Sequence, residues 1–180
     1  MNIWHDIESS RIQPEEFIGV VEISKGSKQK YEMDKRTGLL RLDRILYTST
    51  HYPANYGFIP HTLAEDNDPL DVLILCSESL NSMSLVKCYP IGVIVMNDNG
   101  AVDEKIIAIP FADPNYNTYK SIHDLPEHIF EEMRHFFQVY KQLENKHTSV
   151  DVVADKEEAV KIIKKSMDNY KKNLYELTAK

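Results

Sequence analysis

Residues 65–72 (EDNDPLDV) carry the side chains of this chain that are best suited to chemistry. Four carboxylates fall within seven residues: Glu65, Asp66, Asp68 and Asp71. Crowded carboxylates repel one another, and magnesium, manganese or calcium ions, which prefer hard oxygen ligands, relieve that repulsion. Pro69 stiffens the segment, which favours a preorganised site. The pattern therefore indicates a divalent-metal site, and a solvated acidic turn is the alternative.

A second acidic cluster lies in residues 97–105 (NDNGAVDEK). It holds Asp98, Asp103 and Glu104, and Lys105 follows directly. Two carboxylate clusters on separate loops can share a set of metal ions. An ammonium group beside them suits an anionic ligand that also binds metal, and phosphate is the usual ligand of that kind.

The sequence lacks the motifs that are typical of other catalytic chemistries. An EF-hand loop counted from Asp66 needs an oxygen ligand, Gly and Glu where Leu70, Asp71 and Ser77 stand. The sequence contains no GxxxxGK[ST], GxGxxG, GxSxG or HExxH. No covalent nucleophile is therefore indicated.

Charged residues also interrupt three predicted strands, at residues 17–24, 28–33 and 39–46, of which the last two form a hairpin about a turn at 34–38. The strands carry Glu22, Lys30, Glu32 and Arg44. One such charge usually points to water at a strand end. Several on neighbouring strands indicate a charged cleft at the mouth of a barrel.

The remaining patterns place strands before helices. We predict strands at 72–75, 86–96, 105–110 and 150–153, an ordered irregular stretch at 47–69, and helices at about 126–145 and from 155 onward. This order predicts an α+β or mainly β fold, a barrel with helices, in a single domain spanning residues 1–180.

Composition argues against nucleic acid and membranes as partners and favours one cellular location. The 180 residues have a formal net charge of −7, which disfavours nucleic acid. No signal peptide and no apolar run of about 18 residues is evident, so no membrane association is expected. Cys76 and Cys88 are expected to be reduced core thiols, which favours a cytoplasmic location.

The motifs together resemble the soluble family I inorganic pyrophosphatases of bacterial type. The signature D-x-D-P-x-D is present as DNDPLDV at 66–72. In chain order stand VVEI, KYE, LDR, HYPANYGFIPHTL, MNDNGAVDEKIIAIP and HFFQVYKQLE, and the similarity runs from about residue 10 to 172.

The resemblance implies an OB-like five-stranded closed β-barrel with flanking C-terminal helices. It implies hydrolysis of inorganic diphosphate to two orthophosphates with several Mg²⁺ ions per site, other divalent ions such as Mn²⁺ being possible. It also implies a homohexamer built as a dimer of trimers. A catalytically silent phosphate- or metal-binding OB-like module and a metal-dependent hydrolase of a larger phosphate ester are the alternatives.

The resemblance also assigns roles to individual residues. Asp68 would orient the attacking water and is the candidate to deprotonate it. The metal ligands would be Asp66, Asp71, Asp103, Asp98 and Glu32, with Asp71 bridging two ions. The substrate-binding residues would be Lys30, Arg44, Tyr56, Lys105, Tyr140 and Lys141. Glu22 and Tyr52 would support the site.

One position departs from the family pattern. Bacterial members often carry a glutamate where Asn99 stands, so the share of Asn99 in metal binding is in question. The implied site holds seven carboxylates and four cations, which leaves a net charge of −3. Such a site binds an anion only if divalent ions first reverse its sign.

Overall fold

The computed structural model describes residues 2–178, which form eight strands and two α-helices joined by short 3₁₀ turns. The strands are β1 (Phe17–Ile23), β2 (Gln29–Met33), β3 (Leu40–Ile45), β4 (Asn55–Phe58), β5 (Asp71–Ile74), β6 (Leu85–Asp98), β7 (Ala101–Pro110) and β8 (Thr148–Asp155). The helices are α1 (Glu127–Val139) and α2 (Lys156–Thr178).

Five of the strands close into a barrel. Their order is β1-β4-β5-β7-β6, and β6 pairs again with β1 to complete the ring. The pairings are antiparallel except for β5 with β7, which is parallel. β8 adds to β6 outside the ring, and β2 with β3 forms a separate two-stranded hairpin. The predicted OB-like five-stranded barrel with C-terminal helices is confirmed.

The barrel strands bury both of their faces. In β5, Leu73 belongs to an apolar cluster that includes Phe136 and Phe137 of α1. Its neighbour Val72 belongs to a second cluster that includes Ile163 of α2. Successive side chains of a strand point to opposite faces. The two helices therefore cover opposite faces of the same strands, and this explains why the barrel strands read as nearly continuous apolar runs.

β4 lies inside the stretch that was predicted to be irregular, so that part of the prediction is wrong. The strand has only four residues and stands between Pro53 and Pro60. Its Gly57 lies so close to β1 that a Cβ atom would be 1.8 Å from the carbonyl oxygen of Val20. A short strand with a glycine at a close backbone approach has little local signal.

The predicted first helix is too long at its C-terminal end. α1 stops at Val139, and a 3₁₀ turn over Gln142–Glu144 follows before Asn145 adopts a left-handed φ of 57°. Leu143, which lies beyond the end of α1, is therefore 65% exposed. The tightened turn matters because it sets the directions of the side chains that follow α1.

Two further findings concern membrane-spanning helices and the two cysteines. No helix within residues 2–178 is long and apolar enough to cross a membrane. Cys76 and Cys88 are free thiols and both are buried, as predicted.

Candidate active site

A cavity of about 520 Å³ opens where the β2–β3 hairpin, the acidic loop before β5, the β6–β7 strands and the end of α1 meet. Twelve of the fourteen residues predicted to form the site line it: Glu22, Lys30, Glu32, Tyr56, Asp66, Asp68, Asp71, Asp98, Asp103, Lys105, Tyr140 and Lys141. The other two, Arg44 and Tyr52, are not part of its lining. Residues distant in sequence thus share one polar cleft.

Lys105 lies at the centre of this cavity. Its Nζ atom is 2.8 Å from Asp71 Oδ2, 3.1 Å from each carboxylate oxygen of Asp103 and 3.0 Å from the hydroxyl of Tyr56. Parallel pairing places Asp71 of β5 opposite Lys105 of β7, and Asp103 precedes Lys105 by two residues on the same strand face. The barrel register therefore creates a buried cluster of opposite charges.

The charges of this cluster stabilise one another. Burial alone would lower the pKa of Lys105, but Asp103 and Asp71 outweigh it and hold that pKa well above its ordinary value. Burial raises the pKa of Asp71, and the ammonium of Lys105 opposes that rise. Lys105 therefore stays a cation at neutral pH, in contact with both carboxylates.

Two tyrosine hydroxyls face the same region. Tyr56 donates a hydrogen bond of 2.5 Å to Asp71 Oδ2. Burial raises the pKa of both Tyr56 and Tyr140, so each hydroxyl keeps its proton. Tyr52 lies behind this pair, with its ring 5.2 Å from that of Tyr56. The tyrosines supply hydrogen-bond donors without adding charge.

The acidic loop is held in a defined conformation. Asp66 Oδ1 accepts a 3.0 Å hydrogen bond from the Asp68 amide, and Asn67 between them has a left-handed φ of 66°. The N–H of the buried Leu70 donates to Thr62 Oγ1 at 2.9 Å. Burial raises the pKa of Asp66. The loop is thus held in one conformation, although Glu65, Asp66 and Asn67 remain exposed.

Lys35, which the sequence analysis did not single out, reaches this loop from the β2–β3 turn. Its Nζ forms an ion pair with Asp68 and donates to the carbonyl of Asn67 at 3.1 Å. Further cavity-lining residues come from the same hairpin: Asp34, Arg36 and Arg41. No local pattern distinguishes these residues from an ordinary charged turn, because their role depends on a contact across the cavity.

The hairpin also carries three of the predicted site residues. Lys30 lies opposite Arg44 and forms ion pairs with Glu32 and with Asp43, the latter at 3.3 Å. Arg44 forms an ion pair with Asp43, and its Nε lies 2.9 Å from Glu144 Oε1. Leu42 of the same strand is 51% exposed, because the hairpin stands outside the barrel.

The opposite wall comes from the end of α1 and the end of β6. Lys141 Nζ lies 2.5 Å from Asp98 Oδ2. Asp98 pairs with Ala101, so Asn99 and Gly100 form a two-residue hairpin turn with φ values of 53° and 89°. Asn-Gly is the favoured pair for a turn with two positive φ angles. Asn99 is exposed and does not line the cavity, and its side-chain amide donates a 3.1 Å hydrogen bond to Asp98 Oδ1.

The donor atoms of the cavity suit a hard divalent cation. Asp66, Asp71 and Asp103 offer only carboxylate oxygens, although among residues 2–178 no three acidic, His or Cys side chains are grouped closely enough to hold a metal ion by themselves. Mg²⁺ retains several water ligands and binds through one or two carboxylates plus substrate phosphates. An open set of carboxylates therefore fits Mg²⁺ better than a cation that needs an all-protein cage.

Glu22 is a buried carboxyl at the base of the cavity. It is 7% exposed, and its Oε1 accepts a 2.6 Å hydrogen bond from the Met33 amide. Burial, reinforced by Asp71, raises the pKa of Glu22 to about 8 from an ordinary value of 4.5. In the absence of metal, Glu22 is therefore protonated at neutral pH.

We expect Glu22→Gln to remove a pH dependence of stability. Between pH 4.5 and about 8, the folded wild type keeps a proton that the unfolded chain has lost, so its free energy of unfolding falls as pH rises through that window. Gln keeps the acceptor for Met33 and does not titrate. Urea unfolding in chelator should show the variant gaining on the wild type by a few kcal/mol, on the order of the cost of ionising a buried carboxyl. Glu16→Gln, at an exposed residue, is the control, and parallel pH profiles for wild type and Glu22→Gln would contradict the expectation.

A closed barrel whose mouth combines carboxylates for divalent cations with cations for phosphoryl oxygens defines a class of metal-dependent phosphohydrolases. The family model for inorganic pyrophosphatase matches residues 19–171. The chain belongs to the inorganic pyrophosphatase family, and it hydrolyses diphosphate.

Individual relatives agree with this assignment. The chain is 49% identical over 167 residues to soluble inorganic pyrophosphatase 1 of Arabidopsis thaliana, a match that covers 93% of this chain and 79% of the relative. Among solved structures, the inorganic pyrophosphatase of Helicobacter pylori superposes with a TM-score of 0.88 at 42% identity, covering 92% of this chain and 99% of the other. That of Thermus thermophilus gives 0.90 at 34% identity, with 95% and 99% covered. These matches favour diphosphate hydrolysis over a silent binding module and over a hydrolase of larger phosphate esters.

Proposed function

We propose that the cavity around Lys105 is the catalytic centre and that its hydrolysis of diphosphate uses Mg²⁺. The observation that carries the proposal is the convergence of the two acidic clusters on one buried ammonium. The proposed metal ligands are Asp66, Asp71 and Asp103, joined by Asp98 and Glu32 for ions that accompany the substrate. Bound there, Mg²⁺ would neutralise phosphate charge and acidify a water molecule.

The cations and tyrosines bind the substrate in this proposal. Diphosphate carries several negative charges that repel an incoming nucleophile, so donors arranged around its oxygens lower the barrier to attack. The proposed donors are Lys30, Arg44, Tyr56, Lys105, Tyr140 and Lys141. Glu22 and Tyr52 would hold these side chains in position. Glu22 accepts a hydrogen bond from β2, and Tyr52 packs against Tyr56.

Asp68 is the proposed proton acceptor. It lines the cavity on a loop fixed by hydrogen bonds, and half of its side chain is exposed, so a water molecule can reach it. Its carboxylate would orient the attacking water and take its proton as the new phosphorus–oxygen bond forms and the bond to the bridging oxygen breaks, with the second orthophosphate as the leaving group. Lys35, paired with Asp68, would hold that carboxylate in place.

Phosphate release from diphosphate tests the function directly. We expect rapid release with Mg²⁺ and a near-complete loss in excess chelator, restored by adding Mg²⁺, because carboxylates alone would repel the substrate. Mn²⁺, Zn²⁺ and Ca²⁺ measured in parallel rank the metals. Nucleoside triphosphates serve as the comparison substrate. Hydrolysis of the triphosphates without hydrolysis of diphosphate would contradict the proposal, as would full activity in chelator.

We also propose that the chain is a single domain over residues 1–180, resides in the cytoplasm and assembles as a homohexamer, a dimer of trimers. The two buried, free cysteines support the proposal of a cytoplasmic location. Exposed apolar side chains along and beside β3 support association between subunits, because a second subunit packed on them would remove their apolar surface from water. These are Leu39, Leu42, Ile45 and Tyr47.

A further inference from the structure

Glu144 is a buried carboxylate for which the proposed mechanism has no use. It ends the 3₁₀ turn that follows α1, and its side chain is only 8% exposed. Two cations face it: Arg44 Nε lies 2.9 Å from Glu144 Oε1, and Lys146 Nζ lies 4.0 Å from the same oxygen. The closer partner, Arg44, comes from β3, across the cavity mouth from α1.

The pair is close but poorly aligned. Within residues 2–178, Arg44 Nε, Arg44 Nη2 and Glu144 Oε2 are buried and have no hydrogen-bond partner. Buried polar groups are almost always paired, so each exception needs a physical reason. Here the ion pair fixes the position of the guanidinium even though its hydrogen-bond geometry is incomplete.

The pair also links the β2–β3 hairpin directly to the end of α1. The β2–β3 hairpin, which carries Lys30 and Arg44, is a separate sheet with no hydrogen-bonded pairing to the barrel strands. The end of α1 carries Tyr140 and Lys141 immediately before Glu144. An ion pair between Arg44 and Glu144 therefore fixes the distance between two groups of substrate-binding residues.

We propose that Glu144 is a positioning residue for diphosphate binding. It holds the guanidinium of Arg44 through their ion pair, and it docks the hairpin against the end of α1. The inference rests on the proposed function, in which Arg44 binds substrate. Because Glu144 acts through Arg44, its removal affects substrate binding more than the chemical step.

The test compares Glu144→Gln with Glu144→Asp in steady-state kinetics at saturating Mg²⁺. Gln keeps the size of the side chain and loses the charge, and we expect it to raise KM for diphosphate about tenfold, the effect of one charge-assisted contact, while kcat stays within about twofold. Asp keeps the charge on a shorter stem and should restore most of the affinity.

A double-mutant cycle with Arg44→Ala separates positioning from a general structural effect. If Glu144 acts through Arg44, Glu144→Gln should change KM in the wild type and leave it unchanged in the Arg44→Ala background. Glu132→Gln, the same substitution at an exposed position of α1, is the control and should leave KM unchanged. Thermal unfolding checks that each variant is folded, and Glu144→Asp carries the test if Glu144→Gln is not.

The outcomes separate the two proposals. If Arg44→Ala leaves KM unchanged, the assignment of Arg44 to the substrate is wrong. If Arg44→Ala raises KM but Glu144→Gln does not, or if Glu144→Gln raises KM equally in both backgrounds, the inference about Glu144 is overturned.

Discussion

Lys105→Met is expected to lower kcat/KM for diphosphate by about 1,000-fold, the upper range for removing a preorganised charge donor. Met preserves the length of the side chain and removes its charge. The buried ammonium contacts Asp71, Asp103 and Tyr56 simultaneously, and no solvent can replace it at 2% exposure. The variant loses the counter-ion of two carboxylates and, in the proposed mechanism, a substrate ligand.

The same variant should be less stable when metal is absent. Removing one partner of a buried ion pair leaves uncompensated charge and costs on the order of 3 kcal/mol. Urea unfolding in chelator measures this loss, and added Mg²⁺ should reduce it because a divalent ion can neutralise the same carboxylates. Lys87→Met, at an exposed lysine of β6, is the matched control. Activity and stability both close to wild type would show that Lys105 is not the centre of the site.

The central contacts of this cavity follow from features that the sequence displays locally. The apolar runs around Val72, Ile94 and Ile107 predict β5, β6 and β7, and the pairing of those strands brings Asp71, Asp103 and Lys105 together. The prediction that Asp103 lies in a loop before a strand at 105–110 is wrong: β7 begins at Ala101, and alternation along it puts Asp103 and Lys105 on one face. Prediction succeeded where the side-chain pattern and the backbone geometry depend on the same few residues.

Prediction failed where the determining contact is distant in sequence. β4 depends on Gly57, whose small size is required only by the backbone of β1. Lys35 and Glu144 each lie in an ordinary charged turn, and they become notable only through Asp68 and Arg44 on other elements. Arg44 was expected to line the cavity, and in the structure it turns towards Glu144. Tertiary ion pairs of this kind leave no periodic signal.

The excess of carboxylates in the site gives the acidic composition of the chain a physical explanation. Four site cations cannot balance seven site carboxylates, and several of those carboxylates are already paired with Lys30, Lys105 or Lys141. Divalent ions would both relieve the remaining repulsion and release these ammonium groups towards phosphoryl oxygens. Metal binding and substrate binding are therefore coupled through the same ion pairs, so affinity for diphosphate should depend on occupancy of the metal sites.

Asp68→Asn is expected to lower kcat by about 10²- to 10⁴-fold, the range for losing a general base, with little change in KM. Asn preserves the size of the side chain, and the loop should keep its shape because the bond to Asp66 Oδ1 comes from the backbone amide of residue 68. The acid–base function and the ion pair to Lys35 are lost together. Glu65→Gln is the control: it removes an exposed carboxylate of the same loop, whose partner is Lys165, and should leave kcat unchanged.

A magnesium titration of Asp68→Asn distinguishes a proton acceptor from a metal ligand. If Asp68 accepts a proton, the variant should be half-activated at the Mg²⁺ concentration of the wild type and reach a lower plateau. If it is a ligand, the midpoint should move to higher Mg²⁺ and the plateau should recover, because excess metal compensates for weaker binding. Asp66→Asn supplies the comparison, since Asp66 is the proposed ligand two residues earlier on the same loop. A lower plateau for Asp68→Asn beside a shifted midpoint for Asp66→Asn would separate the two neighbouring carboxylates into base and ligand, whereas full activity of Asp68→Asn would remove Asp68 from the chemistry.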